Sequence, residues 1–203
     1  MIDAYRTVRR TATSRLTRKR SRFIGRIVPV GDVAAARREI AALEREYHDA
    51  THHCSAYRVL QGAETIARAE DAGEPAGSAG RPMLQQLESA DLVNVLAVVV
   101  RYFGGVKLGV GGLIRAYADT IAAALAEAGS VEKAVRNRLL VLFPPETNSG
   151  VMKLIHRLRA DVERIDFGTT VRVCLSLGPS EVSGFVAALS EVTGGRASWE
   201  EVP

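Results

Sequence analysis

The segment that most restricts the fold is AVVVRYFGGVKLGVGGLIRAY, residues 97–117. It opens with apolar, β-branched residues typical of a buried strand, and it then places five glycines within residues 104–112. Apolar residues recur at helical spacing beyond the turn and predict a helix with one buried stripe, whose end Gly129 marks. The stripe consists of Leu113, Tyr117, Ile121, Ala124, Leu125 and Ala128. The segment therefore predicts a buried strand over 93–100, a Gly-rich turn and a long helix.

The turn has two interpretations. Its backbone N–H groups and the helix N-terminus can bind an anion, and three flanking basic residues can hold phosphate oxygens or an acidic partner. These residues are Arg101, Lys107 and Arg115. Alternatively, the glycines only permit tight packing of the strand against the helix, and the basic side chains face solvent. The glycines concerned are Gly104, Gly105, Gly109, Gly111 and Gly112. Nucleotide motifs are incomplete, since Val110 replaces the Walker A lysine and Ile114 the third dinucleotide-binding glycine.

A second irregular segment, DAGEPAGSAGRP at residues 71–82, predicts a loop followed by a short helix over 83–87. It contains Gly73, Pro75 and Arg81, together with the acids Asp71 and Glu74. General acid–base chemistry needs a nucleophile or substrate clamp nearby, and no such spacing is evident. The acids are therefore interpreted as groups that cap or order the loop.

Basic residues are concentrated at the start of the chain. Residues 1–22 carry eight Arg and Lys against one Asp, although the whole protein has a net charge of only +4. Strands over 4–11 and 21–30, joined by a basic connection, predict a hairpin-like arm. Its candidate binding residues are Arg15, Arg18, Lys19, Arg20 and Arg22. Such residues can contact the phosphates of RNA.

Between the arm and the first loop, Asp32 predicts the cap of an amphipathic helix, and residues 51–59 and 64–69 predict a strand pair. His52 and His53 follow each other in the first of these strands, so their side chains should point to opposite faces. That separation argues against a metal site, and we expect neither a metal nor a cofactor. Cys54 and Cys174 are expected to be reduced thiols.

The composition changes over residues 131–138, where we place a domain boundary. The pattern beyond it is β-α-β-β-α-β, which matches the ferredoxin-like split βαβ unit. We therefore predict an α+β protein with domains at 1–135 and 136–203. The second domain has equal numbers of basic and acidic residues, so an electrostatic function should belong to the first.

No apolar run approaches the roughly 20 residues that span a bilayer, and no secretory signal is visible. We expect a cytoplasmic protein without a membrane partner. The pattern leaves the oligomeric state open.

Four long motifs resemble the YigZ/IMPACT family. They are SRFIG (21–25), HDATHHCSAY (48–57), EDAGEPAGSAGRPMLQQL (70–87) and VVVRYFGGVKLGVGGLIRAY (98–117). The resemblance implies a first domain of the ribosomal-protein type shared with domain IV of elongation factor G, and a second domain like its domain V. Eukaryotic members regulate translation by competing for the co-activator of the kinase that phosphorylates initiation factor 2. Bacterial members look like RNA- or ribosome-associated proteins.

The sequence departs from the family pattern at a few positions. Ala72 replaces the second Asp usual before Gly73, and His48 stands where Pro is common. Phe103 and Val110 replace the Tyr and Thr of some members, which puts a hydroxyl-dependent step there in doubt. Matching positions include Arg81, Arg101, Tyr102, Tyr117 and the glycines of the second loop.

Three functional hypotheses follow. The leading one is a non-enzymatic protein of the translation apparatus that binds RNA, the ribosome or a regulatory partner through the basic, Gly-rich surface. The alternative is an enzyme acting on a small phosphorylated or acidic substrate between the two Gly-rich loops. Its residues would be His52, Asp71, Glu74, Arg81 and Arg101. The third is a protein-interaction module in which the loops are purely architectural.

Overall fold

The computed structural model describes residues 2–62 and 64–202 as two compact units. One unit comprises residues 5–133, and the other comprises residues 1–4 together with 134–203. In the described residues, no helix is both long and hydrophobic enough to span a bilayer.

The first unit is built on a five-stranded sheet. Its strands in chain order are β2 (Ala12–Arg18), β3 (Ser21–Pro29), β4 (His52–Gln61), β5 (Glu64–Glu70) and β6 (Val95–Tyr102). They are arranged β2-β3-β6-β4-β5, and each strand pairs with its neighbours in antiparallel fashion. Two further strands, β1 (Ala4–Val8) and β7 (Ser130–Ala134), pair in a separate sheet. The unit therefore places β6 at the centre of the main sheet.

Helices cover both faces of this sheet. They are α1 (Val33–Glu46), α2 (Gly80–Ser89) and α3 (Val110–Ala128). One core joins α2 and α3 to side chains such as Phe23 and Val99, and the other joins α1 to Leu96 and Val98. Strand β6 is covered on both faces, which explains why its sequence is almost entirely apolar. Its burial agrees with the prediction of a buried strand.

The basic arm differs from the prediction. The connection expected between two strands is itself β2, and β2 pairs with β3 through a tight turn at Lys19 and Arg20, whose φ angles are 44° and 66°. Positive φ at both turn residues suits the right-handed twist of a two-residue hairpin. β1 pairs with β7 instead, and β7 occupies part of the stretch over 131–138 where we place the domain boundary. The arm is a hairpin, but of different strands.

Both Gly-rich segments are shorter as loops than predicted. Helix α2 begins at Gly80 rather than residue 83, and α3 begins at Val110, so Gly111 and Gly112 are helical. Gly80 abuts the backbone of Glu70, where an added Cβ would lie 2.6 Å from the amide nitrogen. The glycine therefore serves a close helix–strand approach, which a local pattern does not reveal.

The second unit contains six principal elements in the predicted order. These are β8 (Asn137–Phe143), α4 (Asn148–Arg157), β9 (Asp161–Asp166), β10 (Val171–Leu177), α5 (Pro179–Thr193) and β11 (Ser198–Val202). The strands form an antiparallel sheet in the order β11-β8-β10-β9. Its core is formed by alternate residues of β8 and β10 with the inner faces of the two helices.

Candidate functional site

The two Gly-rich loops meet around a buried ion pair. Arg101, on β6, donates from Nη1 to Glu74 Oε1 over 2.6 Å, and the two side chains are only 5% and 3% exposed. Arg101 also donates from Nη2 to the Ser21 hydroxyl at 3.2 Å. An ion pair this deep is stable only while both charges are present, because each compensates the other's lost hydration.

Two further side chains converge on the same carboxylate oxygen. Tyr117, on α3, donates its hydroxyl to Glu74 Oε1 over 2.7 Å, and His52 Nε2 lies 3.8 Å from that oxygen. We call Ser21, His52, Glu74, Arg101 and Tyr117 the Glu74 cluster. It joins the first Gly-rich loop to three strands and a helix.

Two potential nucleophiles, Tyr117 in this cluster and Cys54 beside it, are both protonated at neutral pH. Cys54 Sγ lies 3.0 Å from the Asp71 carbonyl oxygen and 3.3 Å from the Tyr117 hydroxyl. Burial raises the pKa of the Cys54 thiol to about 12, and it also raises the pKa of Tyr117 well above its ordinary value. Tyr117 is therefore a hydrogen-bonding part of the cluster, and the Cys54 thiol donates to its hydroxyl from beside it.

The adjacent histidines point to opposite faces of the sheet, as predicted. His52 Nδ1 lies 2.9 Å from the Ala72 carbonyl oxygen, whereas His53 Nε2 lies 3.0 Å from the Tyr47 carbonyl oxygen. Throughout residues 2–62 and 64–202, no group of three or more His, Cys, Asp or Glu side chains is arranged to hold a metal ion. Cys54 and Cys174 are free thiols, as predicted.

Asp71 orders the first loop, as the sequence suggested. Its carboxylate accepts backbone N–H bonds from Gly77, Ala79 and Gly80 at 2.7, 2.9 and 2.8 Å. Burial disfavours the ionised carboxyl, but the three N–H donors together outweigh that effect and lower the pKa of Asp71 below 3.8. Pro75 contributes to the same loop by accepting from the Ser78 hydroxyl at 2.6 Å.

The substitution Asp71→Asn is expected to lower the free energy of unfolding at neutral pH by about 1–3 kcal/mol, because an amide offers one acceptor oxygen in place of two. A lowered carboxyl pKa contributes stability that is present above the ordinary value and is lost as the pH falls through the folded-state pKa. The variant should therefore lose less stability than the wild type below about pH 4. Urea denaturation between about pH 2 and 7 measures both effects.

A suitable control is Glu70→Gln, because Glu70 forms an exposed ion pair with Arg68 over 2.9 Å. It should change neither the stability at neutral pH nor its acid dependence by more than a few tenths of a kcal/mol. If Asp71→Asn behaved like this control, the role assigned to Asp71 would be wrong.

Three of the predicted basic residues line one groove. This basic groove, of about 330 Å³, is formed by Arg18, Lys19, Leu108, Gly112, Arg115, Ala116 and Asp119. Arg18 already contacts Asp119 at 3.2 Å, with both side chains more than half exposed. Arg20 lies at the hairpin turn, Lys107 is exposed in the second loop, and Arg81 is exposed on α2.

Other predicted binding residues are placed elsewhere. Arg101 is buried in the Glu74 cluster, so it does not flank the turn on the solvent side. Alternation along a strand directs Arg15 and Arg22 away from the sheet face that bears α3. Arg22 lies over the ring of Tyr102, 4.7 Å from its centroid, and Tyr102 donates to Asp49 at 2.7 Å. The expected basic surface therefore divides between two faces of the sheet.

Gly104 holds the hairpin turn against the second Gly-rich loop. An added Cβ at this position would overlap the Arg20 carbonyl group and the Ser21 amide nitrogen. Its own N–H donates to the Ser21 hydroxyl at 3.2 Å, the same hydroxyl that Arg101 contacts. Gly105 and Gly109 adopt φ angles of 83° and 74°, and a Cβ added at Gly73 would lie 3.3 Å from His52 Nδ1.

Sequence reasoning missed two members of the Glu74 cluster, Ser21 and Tyr117, and the neighbouring Cys54. Ser21 was regarded as part of a strand, Tyr117 as part of the buried stripe of a helix, and Cys54 as an isolated thiol. A usable signal was the alternation of β3, because it directs Ser21 to the same face as the buried Phe23. Nothing local indicated that Tyr117 would reach Glu74, 43 residues away.

Known proteins of one family are similar to this chain over most of its length. Residues 19–125 match the family model described as the Impact N-terminal domain. The IMPACT family member YvyE of Bacillus subtilis is 33% identical over 99% of this chain and 92% of its own length. An IMPACT family member of Thermus thermophilus, described as lying in the pol 5′ region, is 39% identical over 90% of this chain and 98% of its own.

Similarity over a shorter region extends to a mammal. Protein IMPACT of Rattus norvegicus is 34% identical over 46% of this chain and 30% of its own length. A solved crystal structure, described as that of a hypothetical protein, superposes with a TM-score of 0.71 at 29% identity and covers 100% of this chain and 99% of its own. The chain is thus similar over its whole length to a solved fold, and over about half of its length to the mammalian protein.

Proposed function

Because this chain belongs to the IMPACT family, we propose that it is a non-enzymatic protein of translation control that binds RNA through the basic groove. The observation that carries the proposal is the convergence of Arg18, Lys19 and Arg115 on one groove. Cations from a hairpin turn and from a helix are thereby placed where one phosphate backbone can reach all three. Contacts of this kind supply affinity with little sequence preference.

The acid in the groove does not oppose this function. Asp119 is paired with Arg18, but both side chains are largely exposed. An exposed ion pair contributes only about 0–1 kcal/mol, so a phosphate can replace the carboxylate as the partner of Arg18 at small cost. The groove therefore retains an excess of positive charge for a polyanion.

An enzymatic function has weaker support. His52, Glu74 and Arg101 do converge, as that hypothesis requires. The charge of Arg101 is already compensated by Glu74, however, and the neighbouring Cys54 thiol is protonated at neutral pH. This arrangement favours a structural role for the Glu74 cluster over binding of an acidic substrate.

The fold expected from the resemblance forms part of the proposal. In the second unit, the antiparallel order β11-β8-β10-β9 supports a ferredoxin-like domain. For the first unit, the family membership supports a domain of the type found in domain IV of elongation factor G. Both are the domain types that the resemblance to the family implies, which agrees with a translation-related role.

Replacing Arg18, Lys19 and Arg115 together by serine is expected to weaken binding of an RNA hairpin. Up to three phosphate contacts are lost, so the slope of log K against log salt should become less steep by roughly 2 to 3. Fluorescence anisotropy titrations at several salt concentrations between about 50 and 200 mM measure the affinity and the slope.

A matched control carries serine at Arg37, Arg38 and Arg45, which are exposed on α1 and represent the same loss of charge. It should retain most of the affinity and the original slope. The proposal is contradicted if the wild type does not bind at low salt, or if both variants lose affinity equally. A pull-down with this chain gives the opposing outcome. If it retains a protein after nuclease treatment while the chain binds no RNA, the interaction module is favoured instead.

A further inference from the structure

Phe103 is an exposed aromatic residue whose position is fixed by its surroundings. It follows β6 directly, and 46% of its surface is exposed. Its backbone N–H donates to the Thr51 hydroxyl at 3.0 Å, which anchors the chain at this point. Packing inside the fold does not account for so large an exposed ring, and Val106, Val110 and Ile114 nearby in the chain are exposed as well.

The ring rests on a guanidinium group that cannot move freely. Arg101 Cζ lies 5.5 Å from the centroid of Phe103 and 5.3 Å from that of the buried Phe23. Glu74 and Ser21 hold the same guanidinium through hydrogen bonds of 2.6 and 3.2 Å. Arg101 thus connects a buried ring to an exposed one, and the exposed ring is supported from within the protein.

We propose that Phe103 is a stacking platform for an unpaired base and that the RNA bound at the basic groove is single-stranded beside it. This inference rests on the proposed function. Every nucleobase has a π-face that can stack on an aromatic ring, whereas the bases of a duplex are already stacked on one another. A platform therefore selects single strands without selecting a sequence.

The platform and the basic groove are connected through the backbone. Gly104 follows Phe103 and abuts the Arg20 carbonyl group at the hairpin turn. Lys19, the other turn residue, lines the groove, and Leu108 of the same loop forms part of its wall. A strand whose phosphates occupy the groove can therefore place a neighbouring base at Phe103. Phosphate contacts beside an aromatic platform are the combination that single-strand binding requires.

The test compares a single-stranded RNA of about twelve nucleotides with the duplex of the same length. The substitution Phe103→Leu keeps an apolar side chain but removes the ring, and it should weaken single-strand binding about tenfold while changing duplex binding less than twofold. Phe103→Trp should restore or increase single-strand affinity. When Phe103→Trp is combined with Trp199→Phe, the fluorescence comes from position 103. The single strand should quench this fluorescence, and the duplex should leave it unchanged.

The outcomes separate the two proposals. Unchanged single-strand affinity in Phe103→Leu, or equal losses for both RNAs, would overturn the platform while the groove variant could still establish RNA binding. Absence of binding to either RNA at low salt overturns the proposed function itself. If Phe103→Leu weakens binding of polyglutamate but not of RNA, the ring docks an acidic peptide and the inference is wrong.

Discussion

Glu74→Gln is expected to lower the free energy of unfolding by about 3–5 kcal/mol, because it leaves the buried Arg101 guanidinium without its countercharge. Glutamine keeps the volume and one acceptor oxygen, so the loss reports mainly the charge. Urea denaturation at neutral pH measures it, with the far-UV spectrum as the check that the native fold is retained.

The matched control is Glu127→Gln, which breaks an ion pair of similar length, 2.7 Å to Arg10, whose side chains are 63% and 64% exposed. This control should cost less than about 1 kcal/mol. In a Glu74→Gln background, Arg101→Met should recover part of the lost stability, because the uncompensated charge is removed. Equal effects of the two glutamine substitutions would show that burial of the Glu74–Arg101 pair does not carry this energy.

Gly104→Ala is expected to destabilise the first unit by at least about 2 kcal/mol. The new methyl group would overlap main-chain atoms of Arg20 and Ser21, and a backbone cannot move aside as a flexible side chain can. The hairpin turn must then separate from the second Gly-rich loop. We expect RNA affinity to fall as well, since Lys19 lies on that turn. Thermal denaturation and anisotropy titration measure the two effects.

Gly111→Ala is the matched control in the same Gly-rich segment. A Cβ at Gly111 would meet only the end of the Arg115 side chain, 3.9 Å away, and the position is helical. Alanine should be neutral there or stabilise the helix by up to about 1 kcal/mol. If Gly104→Ala proved as harmless as Gly111→Ala, the close approach of loop and hairpin turn would not be required for the fold.

Long elements with strong periodicity were predictable from the sequence. Helix α1 begins where Asp32 was expected to cap it, with the Asp32 carboxylate accepting from the Ala35 N–H at 2.6 Å. Helix α3 buries most of the predicted stripe and ends at Ala128, with Gly129 as its C-cap. These elements follow from local rules, because capping and amphipathic spacing act within a few residues of chain.

Strand β2 was not predictable in the same way. Its inward positions are Ala12, Ser14 and Leu16, and a row of Arg and Thr residues separates them. So weak an apolar alternation does not distinguish a strand from a basic connection. The partner of β1 was equally hidden, since β7 lies more than 120 residues further along the chain.

The residues alone determined the kinds of elements, the two Gly-rich segments and the concentration of positive charge before residue 23, because these depend on local composition and periodicity. Only the tertiary structure decided which charges remain available to a partner. Arg101 and Lys107 look alike in the sequence, yet the first is buried and the second is exposed. The difference arises because burial of Arg101 depends on Glu74 and Ser21, which are 27 and 80 residues away and approach it only when the sheet and helices pack.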